Sequence, residues 1–399
     1  MGRRQGVTTR GVGPLLAATG ISVTGDGALI AAAPLLAASL TRDPLAVSAV
    51  TAAFYLSWLL VGLPAGALVD RRARRPVLVA ADLVRAAILA ALAALVLTGT
   101  ASVPLLVAAV LLVGVAQCFF DSAAQAVIPA VVGRDKETLT RTNGRFWALD
   151  TIGRSLAGPP LGSTTFAVSK TLPFAGDALT FLASAVLVSR LPHVPAPDGP
   201  HERVRVAVRG GLQHLARTRE LLVLALSLGA YNFGYNLAIA TFVLYAKDAL
   251  HVADAGYGFL LATMAVGGVV ASWRAAPLLR RLSYRQAQAV ALLVQGLAWL
   301  GVALAPNAII AGVLLAVLGA ASALTSVAVG SARQALTPDA LLGRVVSAFR
   351  LVGIGAAGLG ALAGGVVADW QGLRAPLLVA AMLLVVAAVP TWSSQQAAP

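Results

Sequence analysis

Long apolar stretches separated by short polar breaks run along almost the whole chain. A helix that crosses a bilayer needs about 20 mainly apolar residues. Twelve stretches are of about that length, at 14–40, 45–69, 77–98, 103–129, 143–168, 172–191, 220–246, 256–279, 284–305, 307–331, 343–368 and 373–392. The pattern predicts an all-α integral membrane protein with twelve transmembrane helices, which we number as spans one to twelve.

The composition supports this prediction. Of the 399 residues, 58% are hydrophobic and 12% are charged, and the mean hydropathy is +0.84. Soluble domains have about 25% charged residues. We therefore expect the lipid bilayer to surround most of the chain, with little left for a soluble domain.

The net charge of +14 is unevenly distributed between the two sides of the predicted membrane. If the N-terminus is cytoplasmic, the inside segments hold 22 basic residues and the outside segments hold four, which are Arg42, Lys170, Lys247 and Arg374. Basic residues accumulate in cytoplasmic loops. The charge therefore predicts cytoplasmic N- and C-termini in a bacterial cell membrane, and it does not indicate a nucleic acid partner.

The longest polar break, at 192–219, divides the spans into six and six. It begins with four prolines and continues as a basic amphipathic stretch, which is typical of a helix that lies on a membrane surface. We predict an N-terminal bundle at 1–191, a cytoplasmic linker at 192–219 and a C-terminal bundle at 220–399. The only cysteine, Cys118, falls within a span, and no histidine pair has metal-ligand spacing, so we expect no metal and no cofactor.

The two halves share a repeated pattern. Gln125-Ala-x-x-Pro129 recurs 209 residues later as Gln334-Ala-x-x-Pro338, and the same shift brings Arg71-Arg72 onto Arg280-Arg281. Two matches at one offset favour a duplication of a six-helix unit.

The loop between spans two and three has the sequence Gly66-Ala-Leu-Val-Asp70-Arg71-Arg72-Ala73-Arg74-Arg75. It resembles the G-x-x-x-D-R-x-G-R-R loop of the major facilitator superfamily, with Ala73 in place of a glycine. The resemblance implies two pseudo-symmetric six-helix bundles around a central cavity. It also implies a gating role for the loop, carried by Gly66, Asp70, Arg71, Arg74 and Arg75.

The gating role has a physical basis in the acid of this loop. A carboxylate at a helix end can pair with a helix N-terminus or with basic groups of the other half. If that contact forms in only one access state, it biases the equilibrium between the states. A topological anchor is the alternative, but it explains only the arginines and not Asp70.

Further segments are similar to the drug-efflux branch that includes macrolide exporters and enterobactin-type siderophore exporters. They are Phe120–Pro129, Asn143–Arg145, Ala157–Gly162, Gly256–Gly258 and Arg333–Arg344. The resemblance implies a monomeric, proton-coupled antiporter that exports hydrophobic or amphiphilic small molecules by alternating access, with spans one, four, seven and ten lining its cavity. The alternative is an uptake symporter of a small metabolite. No catalytic motif supports an enzyme.

Span five contains Gly153, Gly158, Pro159 and Gly162, and Ser163 stands where the family usually has a last glycine. Proline kinks a helix and glycine lets a neighbouring helix approach closely. In the family this element marks antiporters. Glycine and proline are, however, ordinary in membrane helices.

Four charged residues within or near the spans are proton-coupling candidates: Asp26, Asp121, Asp150 and Arg154. A charge at the centre of a bilayer costs about 2.5–3.5 kcal/mol on insertion scales, so Asp26 should face a cavity or a partner unless it lies at a wet rim. Asp150 and Arg154 have i,i+4 spacing and form either an ion pair or a proton-linked switch. Asp121 is either a partner of loop arginines or a cavity acid.

Other polar residues allow two interpretations. In span seven, Tyr231, Asn232, Tyr235 and Asn236 form a stripe that suits an amphiphilic aromatic cargo or, equally, helix packing, and Gln117 of span four is a further cavity candidate. We expect Asp82 and Arg85 to be interfacial. Arg350 is placed to neutralise an acid of the other half.

Overall fold

The computed structural model describes residues 12–69, 71–132, 135–191, 204–279 and 281–392. These residues form helices joined by short turns. The α-helices are α1 (Val12–Leu40), α2 (Pro44–Val69), α3 (Arg74–Leu97), α4 (Val103–Val132), α5 (Lys136–Asp150), α6 (Gly158–Val168), α7 (Leu172–Ser189), α8 (Val204–Arg217), α9 (Arg219–Ile239), α10 (Phe242–Asp248), α11 (Asp254–Leu279), α12 (Tyr284–Leu304), α13 (Ala308–Ala335), α14 (Asp339–Gln371) and α15 (Ala375–Trp392). A π-helical segment, Thr151–Ala157, joins α5 to α6.

Eleven helical stretches in the described part of the chain are long and apolar enough to cross a membrane. One of them, Arg219–Asp248, comprises α9 and α10 and corresponds to span seven. The fifth span is a helix interrupted by the π-helical segment, which explains why it is not among the eleven. Together they match the twelve predicted spans, and the predicted all-α membrane fold is confirmed.

The helices pack in two groups. In the first, α1 packs on α6 and α7, α3 on α4 and α7, and α2 on α4. In the second, α13 packs on α11 and α12, α15 on α12, and α9 on α14. The two groups contact each other mainly where α2 meets α14 and α6 meets α11. A central cavity lies between them.

Span five begins earlier than the apolar pattern predicts, at Lys136 and not at residue 143. Asp135 caps α5 by accepting hydrogen bonds from Thr138 N at 2.9 Å and Thr138 Oγ1 at 2.8 Å. These bonds favour the charged carboxylate and lower the pKa of Asp135. The first turns of α5 are polar, so an N-cap begins the helix well before the first apolar residue.

Several contacts join the two bundles at the end that the charge distribution predicts to face outward. Arg42 Nη1 lies 2.9 Å from Asp248 Oδ1, and Ser163 Oγ donates to the carbonyl oxygen of Ala255 at 2.8 Å. Gly258 sits so close to α6 that a Cβ there would lie 1.9 Å from the carbonyl oxygen of Pro159. This end of the interface is therefore tightly packed.

At the opposite end, the linker helix α8 packs against α14. A Cβ on Gly211 would lie 2.1 Å from the carbonyl oxygen of Arg344, so this glycine permits close approach of the two backbones. Nearby, the guanidinium of Arg350 lies 4.4 Å from the centroid of the Trp58 ring of the other bundle. Arg350 therefore makes a cation–π contact with α2 of the other bundle. The sequence had suggested that its partner there would be an acid.

Candidate functional site

A cavity of about 490 Å³ lies between the bundles. Residues of α1, α2, α4, span five, α9, α11 and α13 line it. Spans one, four, seven and ten all contribute, as predicted. Spans two, five and eight contribute as well, because α2, the fifth span and α11 lie along the interface between the bundles.

Most of the cavity wall is apolar or aromatic. Four of the chain's six tyrosines line it, Tyr55, Tyr231, Tyr235 and Tyr257. The rings of Tyr231 and Tyr235 are 6.0 Å apart between centroids, and the Tyr235 hydroxyl lies 3.8 Å from the sulfur of Met264. Such a wall offers stacking surface, and the tyrosine hydroxyls add hydrogen-bonding groups to it.

The predicted stripe on α9 faces this cavity, and so does Gln117 of α4. The two amides also bond within their own helix. Asn232 Nδ2 donates to Leu228 O at 2.9 Å, and Asn236 Nδ2 donates to Asn232 O at 2.8 Å. These bonds lie within α9 and do not join it to another helix, and the substrate-binding role of the stripe stays a prediction.

A charged pair interrupts the apolar wall. Arg154 Nη2 lies 3.1 Å from Asp26 Oδ2, and both residues line the cavity. Arg154 Nε also lies 3.1 Å from Asp150 Oδ1, the i,i+4 ion pair that the spacing indicates. Asp26 is 7% exposed and Arg154 is 22% exposed, so this ion pair is largely shielded.

The glycines of span five bring Arg154 close to α1. A Cβ on Gly158 would lie 2.5 Å from Gly27 Cα, and one on Gly162 would lie 2.2 Å from the carbonyl oxygen of Ala28. Gly153 and Arg154 belong to the π-helical segment, which packs against α1. Such segments are rare and occur frequently at functional sites. Pro159 lines the cavity, and the role of the element as an antiporter marker remains a prediction.

A second arginine lies wholly inside the first bundle. Arg85 is 0% exposed and donates hydrogen bonds to Asp82 and Gln117, and its Nη1 is 3.9 Å from Asp26 Oδ1. Its guanidinium also lies 4.3 Å and 4.0 Å from the ring centroids of Phe120 and Phe181. The prediction that Asp82 and Arg85 are interfacial is wrong, because α3 carries both into the bundle, where hydrogen bonds and aromatic faces surround them.

Two further acids belong to the same region. Asp121 accepts a hydrogen bond from Gln117 Nε2 at 2.8 Å, so its observed partner is this amide and not one of the described loop arginines. Asp177, on α7, is 2% exposed and accepts a bond from Thr180 Oγ1 at 2.8 Å. Sequence reasoning missed Asp177, although an acid within an apolar span is itself a signal of function.

Residues 13–396 match a family model described as transmembrane secretion effector. The chain belongs to this family of major facilitator transporters. It is similar to the multidrug efflux pump Tap of Mycolicibacterium fortuitum, with 30% identity over 380 residues that cover 92% of each chain. Relatives of this kind identify a membrane transporter of the drug-efflux branch.

The fold of these transporters is also seen in solved structures. The nucleoside transporter NupG has a TM-score of 0.75 and 13% identity, over 96% of this chain and 98% of its own. A bacterial homologue of the iron transporter ferroportin, in an inward-facing state, has a TM-score of 0.73 and 18% identity, over 97% of this chain and 100% of its own. At these identities the likeness concerns the fold alone.

The predicted gating loop of this family member is only partly described. Asp70 lies outside the described residues. Gly66 faces Ser122, Arg71 is exposed in the turn, and Arg74 is buried at the start of α3 with Arg75 beside it. The gating role therefore stays a prediction. Among the described residues, no group of three His, Cys, Asp or Glu could hold a metal ion.

Proposed function

We propose that this transporter is a proton-coupled antiporter that exports hydrophobic or amphiphilic small molecules, such as drugs or siderophores, by alternating access. This proposal rests on the ion pair between Asp26 and Arg154 in the wall of a mainly apolar and aromatic cavity. A protonatable group in the cavity wall supports coupling between proton movement and a cargo that binds there.

The cavity wall supports the choice of cargo. Tyrosines 55, 231, 235 and 257 can stack on flat apolar molecules, and the amides of Asn232 and Asn236 can supply adaptable hydrogen bonds. The naming of a relative as a multidrug efflux pump points the same way.

The ion pair supports proton coupling. When Asp26 takes a proton, its attraction for Arg154 falls, because a neutral acid lacks the charge that the guanidinium pairs with. Arg154 belongs to the fifth span, which packs on α1 and, across the interface, on α11. Protonation would therefore weaken a contact of the helix that joins the bundles, and it would bias the access equilibrium.

The loop between α2 and α3 would act as the gate between the two access states. Asp70 would stabilise one access state through a contact with the other bundle, and Arg71, Arg74 and Arg75 would hold the loop at the membrane surface. Asp70→Asn should slow turnover and leave substrate binding nearly unchanged. A loss of binding with normal turnover would contradict the gating role.

The test is proton movement in everted membrane vesicles that hold a pH gradient. Macrolides, fluoroquinolones, tetracyclines and catecholate siderophores would be added to vesicles containing wild type, Asp26→Asn or Asp369→Asn, the last a control at an exposed carboxylate near the end of α14. We expect a compound to collapse the gradient in wild type and in the control but not in Asp26→Asn. Equal collapse in Asp26→Asn would exclude Asp26 as the proton carrier. Export of a compound without any proton movement would overturn the antiport mechanism.

A further inference from the structure

The carboxyl group of Asp177 lies behind α1 and is not among the residues that line the cavity. Its pocket exists because residue 25 is a glycine. A Cβ at Gly25 would lie 1.9 Å from Asp177 Oδ1. Asp26, the next residue along α1, lines the cavity. Asp177 of α7 therefore packs against α1 at the residue that precedes Asp26, so that Asp26 faces the cavity and Asp177 is enclosed in the bundle.

Asp177 has few partners for a buried acid. Its Oδ1 accepts a hydrogen bond from Thr180 Oγ1 at 2.8 Å, while its Oδ2 is buried and has no hydrogen-bond partner among the described residues. No cation of the described chain lies within ion-pair distance of it. The arginines of the neighbouring elements pair with other acids, Arg85 with Asp82 and Arg154 with Asp26 and Asp150.

The charges around Asp177 are unbalanced. Neighbouring elements contribute Asp26 from α1, Asp82 and Arg85 from α3, and Arg154 from the π-helical segment, while α6 carries no charged residue. With Asp121 and Asp150 included, this cluster contains five carboxyl groups and two arginines. An unpaired carboxylate in an apolar interior is so unfavourable that the group takes up a proton instead.

We propose that Asp177 holds a proton in this conformation and exchanges it with Asp26, so that a second proton site lies behind the cavity. The inference rests on the proton-coupled function proposed above. In the exchange, the O–H bond of Asp26 breaks and one forms on Asp177, and the negative charge moves to Asp26, where Arg154 pairs with it. The reverse transfer returns the proton to Asp26 and weakens that ion pair.

The first test is infrared spectroscopy of the purified full-length protein in lipid nanodiscs. A protonated carboxylic acid has a C=O band distinct from that of a carboxylate. We expect Asp177→Asn to lose one such band at neutral pH, and Asp369→Asn to keep the wild-type spectrum. Because asparagine matches aspartate in size, the pocket at Gly25 stays filled. An undiminished band in Asp177→Asn would show that Asp177 is ionised and would overturn the proposal.

The second test measures the exchange itself. Two acids that share protons titrate as a pair. The protonation of Asp26, assigned from the band that Asp26→Asn removes, should therefore shift along the pH axis by at least about one unit in Asp177→Asn. An unchanged Asp26 titration would leave Asp177 as an isolated neutral acid and overturn the exchange.

These readouts need no transported compound, so they are distinct from the vesicle experiment. If the acids titrate as a pair but wild-type vesicles export a compound without moving protons, the antiport proposal fails while the protonated state of Asp177 stands. If the vesicles show proton antiport but the titrations are independent, only the second site fails.

Discussion

Arg154 of the π-helical segment and Asp26 of α1 form an ion pair, with Nη2 and Oδ2 3.1 Å apart. Arg154 is held at the same time by Asp150, at 3.1 Å on its own helix. One guanidinium therefore links an acid that faces the cavity to an acid of span five. A change in the charge of Asp26 alters the balance between these two contacts of Arg154. Protonation of Asp26 would therefore change how the fifth span is held at the bundle interface.

Removal of the guanidinium should destabilise the protein. In Arg154→Gln, Asp26 loses its nearest cation and keeps only Arg85, whose Nη1 is 3.9 Å away. Removing one partner of a buried pair costs about 3–5 kcal/mol, and the 22% exposure of Arg154 favours the lower end of that range. We expect a clear fall in the thermal unfolding midpoint of the purified protein.

The matched control for this substitution is the double variant Asp26→Asn/Arg154→Gln. It removes Asp26 together with the base, so that only Asp150, which is 23% exposed, loses its cation. It should recover a large part of the lost stability, while transport stays impaired. A single variant as stable as wild type would show that the ion pair contributes nothing to the fold.

The contact between α6 and α1 gives a second prediction. Gly162→Ala places a methyl group 2.2 Å from the carbonyl oxygen of Ala28, so the helices must move apart. Overpacking of this kind costs about 1–3 kcal/mol. Gly176→Ala is the control, because nothing lies within 4 Å of a Cβ there. The thermal unfolding midpoint and the rate of transport in vesicles should fall for Gly162→Ala only. An equal effect of the two variants would contradict the close packing of α6 on α1.

Much of the fold could be predicted from the sequence because the bilayer imposes a simple length rule. The apolar stretches locate the spans to within a few residues, apart from the start of span five, where the first turns are polar and the Asp135 cap begins the helix early. The π-helical segment had no sequence signal of its own beyond glycines and prolines, which are common in membrane helices.

The charged cluster could be predicted only in part. The pairing of Asp150 with Arg154 follows from i,i+4 spacing within one helix. The burial of Arg85 depends on Phe120 and Phe181, which come from other helices and approach only in the fold. Asp177 could have been found as an acid within an apolar stretch, but its relation to Gly25 is a tertiary contact that no local pattern encodes.

The aromatic wall gives a third prediction. Tyr235→Ala removes a ring that lines the cavity and lies 6.0 Å from the ring of Tyr231. An aromatic contact is worth about 0.5–1.5 kcal/mol beyond the area it buries, so affinity for an aromatic compound should fall about two- to tenfold. Fluorescence binding to the purified protein measures this change. Tyr284→Ala, at the start of α12 and away from the cavity lining, should bind like wild type, and a similar loss there would contradict a specific role for Tyr235.

The ion pair between Arg42 and Asp248 gives the last prediction, on the access equilibrium. The pair joins the bundles at the predicted outer face, and its side chains are 63% and 45% exposed. An exposed pair contributes about 0.2–1 kcal/mol, so Arg42→Ala should leave the overall stability almost unchanged. Because this contact holds the predicted outer ends together, its loss should shift the access equilibrium toward outward opening, by up to about fivefold.

Labelling of one cavity position measures that shift. In a Cys118→Ser background, Thr51→Cys places a thiol on the cavity wall of α2 that an impermeant maleimide can reach only when the outer end opens. Arg42→Ala should speed labelling of intact cells, and the charge swap Arg42→Asp/Asp248→Arg should return it toward the original rate. Arg374→Ala removes a positive charge from the same predicted face without touching the pair, so it should change nothing. Equal labelling rates in all four proteins would mean that the two bundles are held together at this end by backbone packing, as at Gly258 and Pro159, and not by the ion pair.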